Sequence, residues 1–117
     1  MIAINAKFSP FRMILARRGP VELKVDLANK DKANAILTLE IKLGSRLSLD
    51  RVGYKTSDIK RIESLKAGET KTLYFDIWPK NAASSTEEPV RLILTEHEGS
   101  FNEVKDQTTE NMSLRID

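Results

Sequence analysis

The sequence predicts an all-β protein, an antiparallel sandwich of about seven strands that occupies residues 1–117 as one domain. Apolar residues recur at alternate positions along most of the chain, which is typical of strands with one face in a core. Turn-forming residues separate these segments about every 8 to 12 residues. No long segment keeps a 3.6-residue period, and a chain of 117 residues has the length of one ordinary domain.

Five segments alternate regularly and predict strands: residues 21–27, 37–43, 73–78, 90–95 and 112–116. Residues 2–8 suit a first strand, which Ser9-Pro10 bends before Phe11, Met13 and Leu15 resume the pattern as an edge piece. Between Gly44 and Leu65 the alternation breaks up. One or two short strands and a loop are expected there, although "SDIKRIESL" is also compatible with a helical turn.

Turn signals lie between the predicted strands, at Arg18-Gly19-Pro20, Asn29-Lys30-Asp31 and Ala67-Gly68-Glu69. The stretch 79–89 is bounded by two prolines and is the most loop-like part of the chain. Within it, Thr86, Glu87 and Glu88 are expected to be solvated.

The order of these features resembles the immunoglobulin-like modules of archaeal and bacterial proteins, including the cell-adhesion-related domain of bacteria and fibronectin type III-like relatives. The resemblance rests on "VELKVDLANKDKANAILTLEI", "SLKAGETKTLYFDI" and "PVRLILTEH" and spans about residues 2–116. Asn29 matches the family's Asn-containing turn, and Gly68-Glu69 matches the turn before the fifth strand. The resemblance implies Greek-key connections and a role in adhesion, spacing or protein contact, without catalytic residues.

Composition narrows the classes of function. The chain has no cysteine, which excludes disulfides, thiolate catalysis and sulfur-ligated zinc, and its net charge of +2 does not indicate a polyanionic partner. No apolar run is long enough to span a membrane, and no signal peptide is recognised at the amino terminus. A cytoplasmic location is therefore expected, or an extracellular one if the chain is a fragment of a larger surface protein.

Residues that could carry chemistry are few, and no catalytic residue, metal site, cofactor or small-molecule substrate is predicted. The single histidine, His97, lies between Glu96 and Glu98, but neighbouring residues of a strand point to opposite faces and do not converge on one ion. His97 is more simply a pH-sensitive surface group. The pair Glu87-Glu88 is expected in a polar loop, and no glycine-rich phosphate loop or nucleophile elbow is present.

Nucleic-acid binding is an alternative function that the sequence supports weakly. Arg17-Arg18 and residues 55–61 form local basic clusters, and Tyr54 lies beside the second. Acidic residues are interleaved with both clusters, which dilutes the positive field that a nucleic acid needs.

The outward positions of the strands favour a non-catalytic module that binds a protein partner or a second copy. If Leu73, Phe75 and Ile77 fill the core, Tyr74 and Trp78 stand on the opposite face. By the same parity Ile36 and Ile93 face outward from neighbouring strands of the other sheet. Large aromatics are enriched at binding hot spots. Two alternatives remain at these positions: aromatics that stack on sugars in a surface or carbohydrate-binding module, or a loop or the first strand that folds over them. An open edge strand is a further docking mode.

Overall fold

The structure, a computed structural model, describes residues 1–17, 19–80 and 85–117. These residues are all-β apart from one short 3-10 turn, Leu15–Arg17, and seven of their nine strands are eight residues or longer. The strands are β1 (Ile2–Ser9), β2 (Arg12–Met13), β3 (Val21–Asn29), β4 (Ala35–Leu43), β5 (Leu47–Ser48), β6 (Ser57–Leu65), β7 (Thr70–Pro79), β8 (Thr86–His97) and β9 (Val104–Ile116).

The strands form two sheets that pack against each other as a β-sandwich. The smaller sheet has the order β1-β3-β7-β5, and the larger sheet has the order β2-β9-β8-β4-β6. All the long neighbouring strands are antiparallel, and the two-residue β2 pairs with β9 in parallel. The chain passes from β1 to β2 through Pro10, so the bend predicted at Ser9-Pro10 is where the first segment leaves one sheet for the other.

The core lies between the sheets and follows from the alternation. A cluster of 19 buried apolar side chains joins both sheets, with β3, β4, β7 and β8 contributing most of it. Residues i and i+2 of a strand point to the same face, so the alternate apolar residues of each strand all point to the side that faces the other sheet. All five regular segments are strands, and Ile36 and Ile93 lie on neighbouring strands of the sheet that does not contain β7.

The expectation for residues 86–89 is wrong in part. These residues begin β8, and Glu88 is only 8% exposed, with the Arg46 Nε atom 3.8 Å from its carboxylate. Glu88 pairs with Leu114 of β9 and therefore shares the inward parity of Val90. The continuous ladder with β9 outweighs the weak strand preference of Glu and Pro. Glu87 is exposed as predicted, and residues 81–84 of the predicted loop lie outside the described residues.

The segment "SDIKRIESL" is neither a loop nor a helical turn, because it forms the whole of the edge strand β6. Ile59, Ile62 and Leu65 are spaced three apart, and this spacing imitates a helix. A bulge in the pairing with β4 absorbs the extra residue, so that both Ile62 and Leu65 face the core. The pattern failed here because a bulge changes parity within one strand.

The Asn-containing turn predicted at Asn29 is a buried polar junction. The Asn29 side-chain amide donates to the carbonyl oxygens of Ala33, at 2.9 Å, and Leu65, at 2.8 Å, and its oxygen accepts from the Asp31 amide. Its main chain also exchanges hydrogen bonds with Gly68 and Glu69. Asn29 therefore joins the β3–β4 turn to the β6–β7 turn, and Gly68 reverses the chain there with a φ of +77°.

Candidate interaction surfaces

Tyr74 and Trp78 lie on the outer face of the smaller sheet, as their parity predicted, but they do not form one patch. Tyr74 is 59% exposed and pairs with Lys24 of β3. Trp78 is half-buried beside Ser48 of β5, with the Arg51 guanidinium 5.9 Å from the centre of its ring. Four residues of extended chain separate the two aromatics by about 13 Å. The covering loop considered from the sequence is therefore present at Trp78 and absent at Tyr74.

Asp50 organises the loop that carries Arg51. One carboxylate oxygen of Asp50 accepts hydrogen bonds from the Ser48 hydroxyl and from the amides of Gly53, Tyr54 and Lys55. The Ser48 hydroxyl and these amides lower the pKa of Asp50 from its ordinary 3.8 to about 2. The loop is thus held by a charged acceptor near the surface, and its position over Trp78 depends on that carboxylate.

Ile36 and Ile93 lie on the outer face of the larger sheet, and both are half-buried. Ile36 is opposite His97 and Ile93 is opposite Glu40, with the pair Thr38 and Thr95 between them. The polar pair interrupts the apolar surface, so these two isoleucines are also separate features of the face.

Ile36 is partly covered because the β8–β9 connection folds back over this face. The His97 Nε2 atom lies 2.7 Å from the Thr38 hydroxyl, and the Phe101 ring meets the His97 ring edge-on at 5.3 Å. The Arg61 guanidinium lies 5.6 Å from the centre of the Phe101 ring. Within the described residues the His97 Nδ1 atom is buried without a hydrogen-bond partner. His97 is therefore a packed group rather than a free surface group.

A cleft of about 530 Å³ opens beside His97, between the β3–β4 turn and the ends of β6 and β8. Its charged lining is mixed and comprises Asp31, Lys32, Glu63, Glu96, Glu98 and Lys105. Across residues 1–17, 19–80 and 85–117, no three His, Cys, Asp or Glu side chains come together to hold a metal ion. The stretch from Glu96 to Glu98 contains a bulge in the pairing with β9, and its side chains do not converge.

The basic clusters noted in the sequence are dispersed. Lys55 and Lys60 both pair with Asp58, at 3.4 and 3.3 Å, and Arg61 lies over Phe101. Arg17 belongs to the 3-10 turn, and Arg18 lies outside the described residues. The cluster at residues 55–61 therefore does not present the continuous basic surface that tracks a nucleic-acid backbone.

Among the described strands, the longest run of exposed residues lies in the first part of β9. Residues 104–111 are exposed at every position, including Asp106, Thr108 and Glu110, which share the inward parity of Leu114. Val104 is 64% exposed. The smaller sheet therefore covers β8 but not residues 104–111 of β9. We define residues 105–113 as the open segment; within it, Met112 is partly buried and packs against the core.

Among the residues that the structure describes, no strand lies along one backbone edge of the open segment. β2 pairs only with Arg115 and Ile116, the Asp117 amide donates to the Met13 carbonyl of β2, and the Asp117 carbonyl accepts from the Leu15 amide of the 3-10 turn on the same side. Since backbone groups alternate sides along a strand, the amides and carbonyls of residues 107, 109, 111 and 113 also point to that side. The Asp106 carboxylate accepts from the Gln107 amide at 2.9 Å, so at least one of these donors is satisfied locally.

The sandwich is also incomplete beside the open segment. Ile4, Ala6 and Phe8 of β1 pair with core residues of β3 and share their inward parity, yet they are only half-buried. β1 leads directly into β2, which pairs with the carboxyl-terminal end of β9, so β1 and β9 border the same side of the sandwich. The alternation of the sequence did not reveal this edge, because it predicted a strand at 112–116 without the polar extension that precedes it. The only local signal in "VKDQTTEN" was Val104, Thr108 and Thr109, because its Lys, Asp, Glu and Asn residues disfavour strands.

Comparison with protein-family models and with curated protein sequences finds no family model and no curated protein that matches the chain. Within the described part of the chain, no helix has the length and apolar character needed to cross a membrane.

Proposed function

We propose that the chain is an immunoglobulin-like, non-catalytic interaction module that binds an extended strand at the open segment of β9. The strand order supports the immunoglobulin-like assignment. Among the seven long strands, the first, second and fifth share one sheet, and the third, sixth and seventh share the other. Immunoglobulin-type sandwiches divide their A, B, E and C, F, G strands in this way.

The observation that carries the proposal is the open edge of residues 105–113. A row of backbone donors and acceptors without a neighbouring strand is a template for strand addition, which natural proteins usually block or cover. The half-buried side chains of Ile4, Ala6 and Phe8 border the same opening. An added strand would satisfy the edge through its main chain and extend the core through its inward side chains.

The outer faces of the two sheets are the alternative place at which a protein partner could bind. Tyr74, Trp78, Ile36 and Ile93 are the residues through which a partner would dock on a face. Each pair is interrupted by polar residues, Asp76 in one case and Thr38 with Thr95 in the other. The edge offers a longer uninterrupted contact, and we therefore favour it.

The experiment that tests strand addition is a comparison of two proline substitutions on opposite edges of the larger sheet. Thr109→Pro removes an amide that points to the open side of β9, where proline is tolerated in strands. Ile59→Pro is the matched control, because the Ile59 amide also points away from its sheet, towards the Asp58 carboxylate. We expect tagged wild type and Ile59→Pro to capture the same partner from native lysate and Thr109→Pro to lose it.

Equal capture by all three proteins would contradict binding at the open segment. Tyr74→Ala and Ile93→Ala distinguish the alternative, since both residues lie on outer faces away from the edge. Loss of the partner in either variant, with retention by Thr109→Pro, would move the binding surface to a sheet face.

A further inference from the structure

We propose that the strand bound by the open segment is the same segment of a second copy, paired antiparallel about a twofold axis at Thr109. This inference depends on the proposed function, because it identifies the occupant of that edge. In the dimer the two larger sheets would join through their β9 strands into one continuous sheet.

The length of the open segment defines the register. The free edge runs from Lys105, after the β8–β9 connection, to Ser113, before the residues that β2 occupies. Its midpoint is Thr109. A twofold axis at that residue pairs all of residues 105–113 with their counterparts, and any other axis leaves part of the free edge unpaired or forces it against β2.

Charge favours the same register. About an axis at Thr109, Lys105 meets Ser113 of the other copy, Gln107 meets Asn111, and Asp106 meets Met112. Thr108 then meets Glu110, so no two like charges are directly opposite. An axis at Thr108 would place Asp106 against Glu110, and an axis at Glu110 would place that carboxylate against its own copy. Like charges at directly opposed positions destabilise a strand pair.

The other edge of the larger sheet is protected against this pairing. β6 contains a bulge, and Asp58 and Lys60 are opposite the core residues Ile41 and Leu39, so two charged residues have inward parity. Bulges and inward charges are two devices that prevent edge-to-edge association. In the open segment Asp106 and Glu110 also have inward parity and a bulge lies beside Asp106, so only its centre, "QTT", has neither device.

Single cysteines test the register, because the natural chain has none. Across a twofold axis, Thr109→Cys would face itself with about 5.5 Å between Cα atoms, which is within disulfide range. Thr108→Cys and Asn111→Cys are matched exposed controls that would face Glu110 and Gln107. We expect mild oxidation to convert Thr109→Cys to a covalent dimer at least 10 times faster than either control. Equal rates for the three variants would overturn the register.

Charge substitutions test the dimer without oxidation. Thr109→Glu and Thr109→Lys each place like charges at the axis, and an equal mixture of the two variants restores complementarity. Light scattering should give twice the 13.2-kDa chain mass for wild type, a monomer for each variant alone and the doubled mass for the mixture. A wild type that stays monomeric at its highest soluble concentration would overturn self-pairing.

The two levels of the proposal fail separately. A monomeric wild type whose captured partner is lost in Thr109→Pro would leave strand addition intact with a different occupant. A monomeric wild type whose partner is retained by Thr109→Pro would contradict both.

Discussion

The two halves of β9 both pair with β8, but they differ in burial and in whether a second strand lies alongside. In the carboxyl-terminal half, Leu114 and Ile116 are buried and β2 lies alongside. In the amino-terminal half, residues 104–111 are exposed and one edge is free. Both halves pair antiparallel with β8, and the register shifts once, between Asp106 and Val104. At about 3.3 Å per residue, β9 runs about 40 Å, close to the 47 Å long axis of the molecule.

The difference teaches that one neighbouring strand is sufficient to hold the backbone of β9, whereas burial requires the second sheet. The carboxyl-terminal half of β9 is therefore part of the core, and the side chains of its amino-terminal half are exposed to solvent. We therefore expect substitutions in the buried half to lower the free energy of unfolding, and substitutions in the exposed half to leave it nearly unchanged and to affect only the proposed binding.

The largest expected effect is the contrast between Leu114→Ala and Thr108→Ala, two positions of the same inward parity. Leu114 is fully buried, so its truncation leaves a cavity and should lower the free energy of unfolding by about 2 to 5 kcal/mol. Thr108 is exposed, and its truncation should stay within about 0.5 kcal/mol. Urea unfolding of both variants measures the contrast, and similar losses would contradict the division of β9.

Asn29→Ala tests whether the end of the molecule near the open segment is held by its polar junction rather than by β9. The substitution leaves the Ala33 and Leu65 carbonyls and the Asp31 amide without their partner. We expect a loss on the order of 3 kcal/mol in urea unfolding. Asn34→Ala in the same turn is the exposed control. A change no larger than that of the control would show that the junction contributes little.

Gly44→Ala tests the packing around Glu88, the residue of β8 that pairs with Leu114. A Cβ atom at Gly44 would lie 2.8 Å from the Pro89 Cδ atom and would overlap a Glu88 carboxylate oxygen. We expect a loss of about 1 to 3 kcal/mol, reduced in the double variant Gly44→Ala with Glu88→Ala. Gly19→Ala is the control, because its nearest described neighbour would be 3.9 Å away. Thermal unfolding of wild type, Gly44→Ala, Glu88→Ala and the double variant measures the coupling between the two positions, which should vanish if Glu88 moves aside freely.

The smallest effect on stability is expected from Asp50. The loop that it holds lies near the surface, like the open segment, but is stabilised by hydrogen bonds to the Asp50 carboxylate. The folded-state pKa of Asp50, about 2, is below its ordinary 3.8. Its contribution to stability is therefore complete above about pH 4 and is lost as the pH falls towards 2. The difference in urea midpoint between wild type and Asp50→Asn should shrink over that range. A difference that is constant with pH would contradict the role of the charge.

The sequence predicted most of the fold, because alternation reports which residues share a buried face. It predicted the strands at β3, β4, β7, β8 and β9 and the outward parity of Tyr74 and Ile93. It was wrong at Glu88 and at "SDIKRIESL", where a continuing ladder and a bulge decide the structure. Both depend on partners distant in the chain, which local patterns do not report.

What the sequence by itself determined is the set of core side chains, the Asn29 turn and the absence of disulfides. Only the tertiary structure decided that Arg51 covers Trp78, that Phe101 packs on His97 and that half of β9 is left open. Alternation predicts which side chains point towards the other sheet, and it does not predict whether the other sheet extends far enough to cover them. At Leu114 the smaller sheet lies opposite, and at Thr108 nothing in the described chain does, so residues of the same parity are buried in one half of β9 and exposed in the other.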